Sequence, residues 1–144
     1  MLAVNTDYAQ DTGDPEPYLR RIAEAGFTHV HWCHHWCTDF LYTDPEIRQI
    51  QRWFAEFGLK LVDLHASHGM EKRWADLREY RRQSGVDLVK NRIVMTERLG
   101  GDVITLHTPG EPEGEPERTA LHDAIRRSLD ELSSDARRCG VRIA

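Results

Sequence analysis

Three histidines stand at matching places in this chain: His31, His65 and His107 each close a short β-rich segment. Imidazole at a strand end can coordinate a divalent metal, move a proton or donate a hydrogen bond to a substrate oxygen. The residue types alone leave those three chemistries open. A single histidine at such a place is commonly structural, but three in consecutive units point to one shared site. By strand alternation, Asn5 and Asp63 fall on the same face as His31 and His65. Asp63 either orients His65 or only satisfies its own polar group. His68 and Gly69 follow in the next loop, placed to contact a substrate.

The segment His31-Trp32-Cys33-His34-His35-Trp36-Cys37 is dense in potential zinc ligands. Cys33 and Cys37 are spaced wider than the Cys-x-x-Cys of a closed site. No second cysteine pair exists, and Cys139 is remote, so a structural zinc is not expected. The expected role is a loop whose Trp32, Trp36, Phe40 and Tyr42 wall a pocket. Aromatic walls suit sugar rings and equally suit plain packing. Gly-x-Gly-x-x-Gly, a phosphate-binding Walker loop and a Gly-x-Ser-x-Gly elbow are all missing, and Ser67 carries no signature of an activated nucleophile.

The elements that must position these residues repeat down the chain as helix, glycine, short β-rich stretch. The glycines are Gly26, Gly58, Gly100 and Gly140, each placed to close a helix in the left-handed conformation. Asp14-Pro15 and Asp44-Pro45 mark helix starts, with Glu115-Pro116 a weaker version. Ile47, Ile50, Phe54 and Phe57 form one buried stripe. Leu121, Ile125, Leu129, Leu132 and Ala136 form another. The stretch from Trp74 to Leu99 is interrupted by Gly85 and is expected to split into two helices. Arg20-Arg21, Arg81-Arg82 and Arg137-Arg138 read as solvated charge late in helices.

The expected strands are Leu2–Asn5, Thr28–Trp32, Leu59–His65 and Val103–His107, followed by the start of a fifth at Val141. Strands alternating with helices argue for a parallel sheet. Leu2, Val4, Val30, Trp32, Val62, Leu64, Ile104 and Leu106 fall on one apolar face. Ala3, Asn5, His29, His31, Leu61, Asp63, His65, Val103, Thr105 and His107 fall on the other, mostly polar face. A sheet covered by helices on both faces would read as continuous apolar runs. One greasy and one polar face suits a (β/α)8 barrel with its site at the strand C-termini; an open sheet with one wet face is the alternative. The fold class read here is α/β: a parallel (β/α) repeat forming the N-terminal half of a TIM barrel, four βα units plus the start of strand five. A complete barrel takes roughly 250 residues, so residues 1–144 are expected to form one incomplete barrel domain.

Composition narrows the function classes. The chain has 144 residues, 40% apolar and 30% charged, as in soluble globular domains. It holds no apolar run near the roughly 20 residues of a membrane span, so no membrane partner is expected. Met1-Leu2-Ala3-Val4-Asn5 has neither the basic lead nor the apolar core of a signal peptide. The three cysteines suggest a reducing, cytoplasmic setting. A net charge of −5 speaks against nucleic acid as a partner. The Pro/Gly-rich acidic run 108–117 reads as an exposed loop.

Three stretches carry a family resemblance: Val62-Asp63-Leu64-His65-Ala66-Ser67-His68-Gly69, Val86-Asp87-Leu88-Val89-Lys90-Asn91-Arg92-Ile93, and the run from Leu99 through His107 to Gly110. Together they resemble the sugar phosphate isomerase/epimerase family, which are xylose isomerase-like TIM barrels. The resemblance covers the whole chain but only the first half of the family's barrel. It implies a metal-dependent isomerase or epimerase acting on a sugar or sugar phosphate. His65 and His107 match positions that face the substrate and are the implied catalytic residues. His31 and Asn5 on the polar face, Trp32 in the aromatic loop and His68 in the next loop are, from their own placement, the expected substrate-binding residues. The implied cofactor is a divalent ion (Mn, Mg, Co or Zn), whose principal carboxylate ligands belong to strands five to eight. In related zinc-dependent AP-endonuclease barrels the histidines matching His65 and His107 are metal ligands. That hydrolase is one alternative reading. A non-catalytic half barrel, self-associating as a homodimer through open sheet edges, is another.

Overall fold

The computed structural model describes residues 2–7 and 13–144; Met1, the first residue of the segment read for a leader, lies outside them. Five strands alternate with four helices: β1 (Ala3–Asn5), α1 (Glu16–Glu24), β2 (His29–Trp32), α2 (Asp44–Phe57), β3 (Lys60–His65), α3 (Glu79–Arg98), β4 (Val103–Thr105), α4 (Glu115–Cys139) and β5 (Arg142–Ile143). The strands form one parallel sheet in the order β1-β2-β3-β4-β5. All strand C-termini therefore meet at one edge, and β1 and β5 are its two outer strands.

Helix ends obey local chemistry. Gly58 and Gly140 close α2 and α4 at φ 68° and 65°, where a side chain would strain the backbone. Gly26 and Gly100 also adopt positive φ, as the repeat predicts. At α1 the N-cap position is Pro15, one residue later than expected, and no side chain caps the helix; the Asp14 carboxylate accepts the Glu16 N–H at 3.0 Å from just outside it. At α2 the cap is Thr43, one residue earlier than expected: Glu46 reaches back to its N–H at 2.7 Å, a capping box. Asp44 instead sits in the first turn and pairs with Arg98 at 2.6 Å.

The core lies between the sheet and the helices. Val30, Trp32, Leu64 and Ile104 from the strands meet Ile47, Ile50, Phe54, Val89, Ile93 and Leu132 from the helices. Five expectations are corrected here. The stretch after Trp74 forms one helix, α3, which runs straight through Gly85. A β-carbon at Gly85 would collide with the Trp74 and Arg73 backbone, so this glycine marks close packing rather than a break. Arg82 is not solvated and not late: it lies 2% exposed in the first turn of α3. Its guanidinium reaches Glu79 and Glu131 at 2.6 Å and the Ser128 hydroxyl at 2.9 Å. That interaction pulls Ser128, instead of Leu129, to the buried face of α4; Leu129 is exposed.

The fourth correction concerns β3. The pairing runs Val30 to Leu61 and then His31 to Asp63, so Val62 is an extra residue, a β-bulge. The bulge reverses the assignment of the lower strand. Leu61 packs in the core beside Val30, whereas Asp63 and His65 keep to the polar face with His31. Leu2, expected on the covered face, is also exposed.

Candidate functional site

The polar face ends in a cluster of side chains at the C-terminal edge of the sheet. His31 on β2 and Asp63 on β3 are register partners, and the His31 Nδ1–H donates to Asp63 Oδ1. The other Asp63 oxygen accepts the Thr105 hydroxyl from β4 at 3.4 Å. His31 Nε2 lies 2.8 Å from His65 Nδ1, and His65 Nε2 lies 2.6 Å from His107 Nε2. The carboxylate fixes the direction of the whole run. Asp63 accepts the His31 Nδ1–H, which places the proton on Nδ1 and leaves Nε2 as an acceptor for His65 Nδ1–H. His65 Nε2 then accepts from His107 Nε2–H, which leaves His107 Nδ1 with a free lone pair. His107 lies two residues beyond β4 and is exposed, so the open end of the run faces solvent.

His65 is the hinge of the cluster. Its ring stacks on His107 at 4.8 Å between centroids and lies 4.6 Å from Trp36. Burial, reinforced by His31 and His107, pushes its imidazole down to about 4. At neutral pH it is therefore uncharged, able to accept and pass on a proton.

Cys33 is the participant that sequence reasoning missed. It is fully buried, and its Sγ sits 2.9 Å from His65 Nδ1. Burial first, then Asp7 and Asp63, push its thiol up to about 12, so it is a neutral partner. The available signal was its place one residue past Trp32, which by alternation returns it to the histidine side.

Of the other expected site residues, Asn5 pairs with His31 in register, and its side chain accepts the Asp7 N–H at 2.6 Å. Asp7 in turn accepts the Trp36 indole N–H at 3.2 Å. Trp36 lies against the histidine run, its ring 4.6 Å from His65 and 5.5 Å from His107 between centroids. Trp32 does not: it is 1% exposed on the helix side, donating to the Tyr42 hydroxyl at 3.1 Å. Alternation explains the split, since Trp32 follows His31 on the opposite face. Trp32 and Tyr42 belong to the core, and Tyr42 with Phe40 also lines a separate cavity of about 260 Å³. His68 stands apart from the run, lining a neighbouring pocket.

The loop between β2 and α2 is held from beneath by Arg92 of α3, another residue whose role only the structure reveals. Its guanidinium donates to the Phe40 carbonyl at 2.5 Å and the His35 carbonyl at 3.3 Å, and lies over Tyr42. Burial lowers its pKa to about 10. His35 itself adopts φ 54°, so the loop is pinned where its backbone is least relaxed.

Ligand atoms of His31, Cys33 and His65 lie within 4.8 Å of one another. Imidazole and thiol are donors for a borderline-soft ion such as zinc or cobalt. They do not fit magnesium, which takes oxygen ligands. Among the described residues, the carboxylates at this edge, Asp7 and Asp63, are already engaged by Trp36 and by His31 and Thr105.

Comparison with known proteins agrees with this fold. A protein of Sinorhizobium fredii, y4fM, is 30% identical over 147 residues, covering 88% of this chain and 47% of its own length. A D-tagatose 3-epimerase-like protein superposes with a TM-score of 0.76 at 18% identity, covering 99% of this chain and 51% of the other. D-psicose 3-epimerase, solved in the presence of D-fructose, gives 0.72 at 15% identity, over 98% and 50%. A Mycobacterium smegmatis barrel protein in complex with magnesium gives 0.68 at 17%, over 99% and 53%. The chain spans about half the length of the proteins it matches, and its fold is half of their barrel. With residues 19–144 matching the family model of that description, the chain belongs to the xylose isomerase-like TIM barrel family.

Proposed function

We propose that the complete protein is a metal-dependent sugar isomerase or epimerase, and that this chain supplies the β1–β5 half of its site. The observation that carries the reading is the hydrogen-bonded run Asp63–His31–His65–His107 at the strand C-termini. Epimerisation beside a carbonyl needs a base to remove a carbon-bound proton and an acid to return one. His107, at the open end, is the side chain that meets the substrate. When its Nδ1 takes a proton, the charge is shared with the neutral His65 and, through His31, balanced by Asp63. His65 also holds the His107 ring in place by stacking. Asn5 and Trp36 position a sugar at the rim, Asn5 through Asp7 and Trp36 by offering an apolar face to a ring. A bound divalent ion (Mn, Mg, Co or Zn) would supply polarisation of the substrate carbonyl. Its oxygen ligands are not among the described residues of this chain.

The sugar class is supported by the neighbours, which include epimerases solved with D-fructose and with D-tagatose. The test is ketose epimerisation by the complete protein in deuterated water, before and after chelation. Deuterium at the inverted carbon, activity lost on chelation and restored by a divalent ion, and a fall of at least about a hundredfold in His107→Asn are expected. Turnover indifferent to chelation, or an unaffected His107→Asn, would sink the proposal.

A further inference from the structure

Beside the histidine run, the loops after β3 and β4 enclose a second concavity of about 400 Å³. His68, Arg73, Asp76, Arg78, Arg81 and Pro109 line it. Most arginines of this acidic chain are spoken for: Arg20, Arg82, Arg98, Arg118, Arg126, Arg138 and Arg142 all pair with carboxylates. Among the described residues, Arg73, Arg78 and Arg81 form no such pair. Arg81 donates to the Tyr80 hydroxyl at 3.3 Å and lies over that ring, within the field of Asp76 and Glu71. Asp76 is the one acid in the lining, and its carboxylate is held by the Arg78 backbone N–H at 2.8 Å. Three guanidiniums against Asp76 in the lining and Glu71 beside Arg81 leave a surplus of one positive charge (3 − 2 = 1) in a chain whose net charge is −5.

The pocket also holds an unmet polar group. His68 Nδ1 is buried without a hydrogen-bond partner. Buried polar atoms in native proteins nearly always have partners, so an orphan of this kind points to a missing one. An oxyanion supplies both needs: acceptor oxygens for the imidazole N–H and negative charge for the guanidinium forks.

We propose that this pocket is a binding site for a dianionic phosphate group. It stands next to the mouth, because His68 follows His65 by three residues and Pro109 follows His107 by two. Resting on the isomerase/epimerase reading, the pocket makes the substrate class a sugar carrying a phosphate ester. The anion site itself stands without that reading.

The test uses the 144-residue chain and inorganic phosphate, with calorimetry and the imidazole resonances of His68 as two readouts. Saturable binding that shifts His68 and weakens by about tenfold or more in an Arg73→Gln/Arg78→Gln double variant is expected. Both side chains are exposed, and circular dichroism checks that the variant folds. A distal Arg126→Gln/Arg127→Gln variant, with the same change in charge, should bind phosphate like the parent chain. Three results would overturn the proposal: no saturable binding, equal weakening in the distal variant, or acetate binding as tightly as phosphate. If phosphate binds as described while the complete protein turns over no sugar, the isomerase/epimerase reading fails and the anion site stands.

Discussion

His65 makes the folded state sensitive to acid in a calculable way. In an unfolded chain imidazole titrates near 6.5, and in the folded chain burial, His31 and His107 bring His65 to about 4. The folded state binds this proton less tightly than the unfolded state does. Its contribution to stability is therefore fully present above about pH 6.5 and is lost as pH falls from there through about 4. The interval spans about 2.5 decades of proton affinity at 1.36 kcal/mol each, or about 3 kcal/mol. Screening at a site partly open to water reduces the expected loss to about 2 kcal/mol. The assay is urea unfolding from about pH 4 to about pH 7 on the parent chain and on His65→Gln, which cannot titrate. Other ionisable groups largely cancel in the difference between the two curves. That difference should shift by about 2 kcal/mol across the window, the parent losing more at low pH. A flat difference, or a His65 resonance titrating near 6.5, would refute the account of a desolvated imidazole wedged between two others.

Two further substitutions probe the scaffold. Gly85→Ala should cost about 3 kcal/mol or more, because its methyl group would strike the Trp74 and Arg73 backbone. Gly110→Ala, with open space around it, should stay within about 0.5 kcal/mol; thermal melts compare the two. Arg92→Met should cost about 2 kcal/mol net, as two loop carbonyls lose a charged donor while a buried charge is also removed. Trp36 fluorescence should change with it, since the loop that Arg92 pins carries Trp36 to the mouth.

Much of this architecture is legible in the residues. Gly26, Gly58, Gly100 and Gly140 predict the helix ends, and the spacing of Ile47, Ile50 and Phe54 predicts the buried face of α2. His31, His65 and His107 gather because parallel pairing sends their strand ends to one edge, as period and order foretell. What escapes is whatever depends on contact between distant segments. Gly85 looks like a helix breaker until the Trp74 backbone is seen lying against it. Arg82 looks like surface charge because Ser128, its buried partner, lies 46 residues further on. Cys33 belongs to the site because His65, 32 residues on, presents Nδ1 to its sulfur. Trp32 was misjudged for a different reason: its neighbours suggested a pocket, whereas its own parity placed it inside.

The bulge at Val62 makes the length of β3 itself a determinant of chemistry. Val62 is the single spare step in the strand: a chain lacking it would still send Asp63 and His65 toward the mouth and Leu64 toward the helices. Excising Leu64, the one residue between Asp63 and His65, or Asp63 itself would break that parity, driving an imidazole against oil or severing the link to His31. Tolerance for shortening is thus confined to one joint, and the spacing of the proton-handling groups is guarded by a count of residues as much as by their kinds.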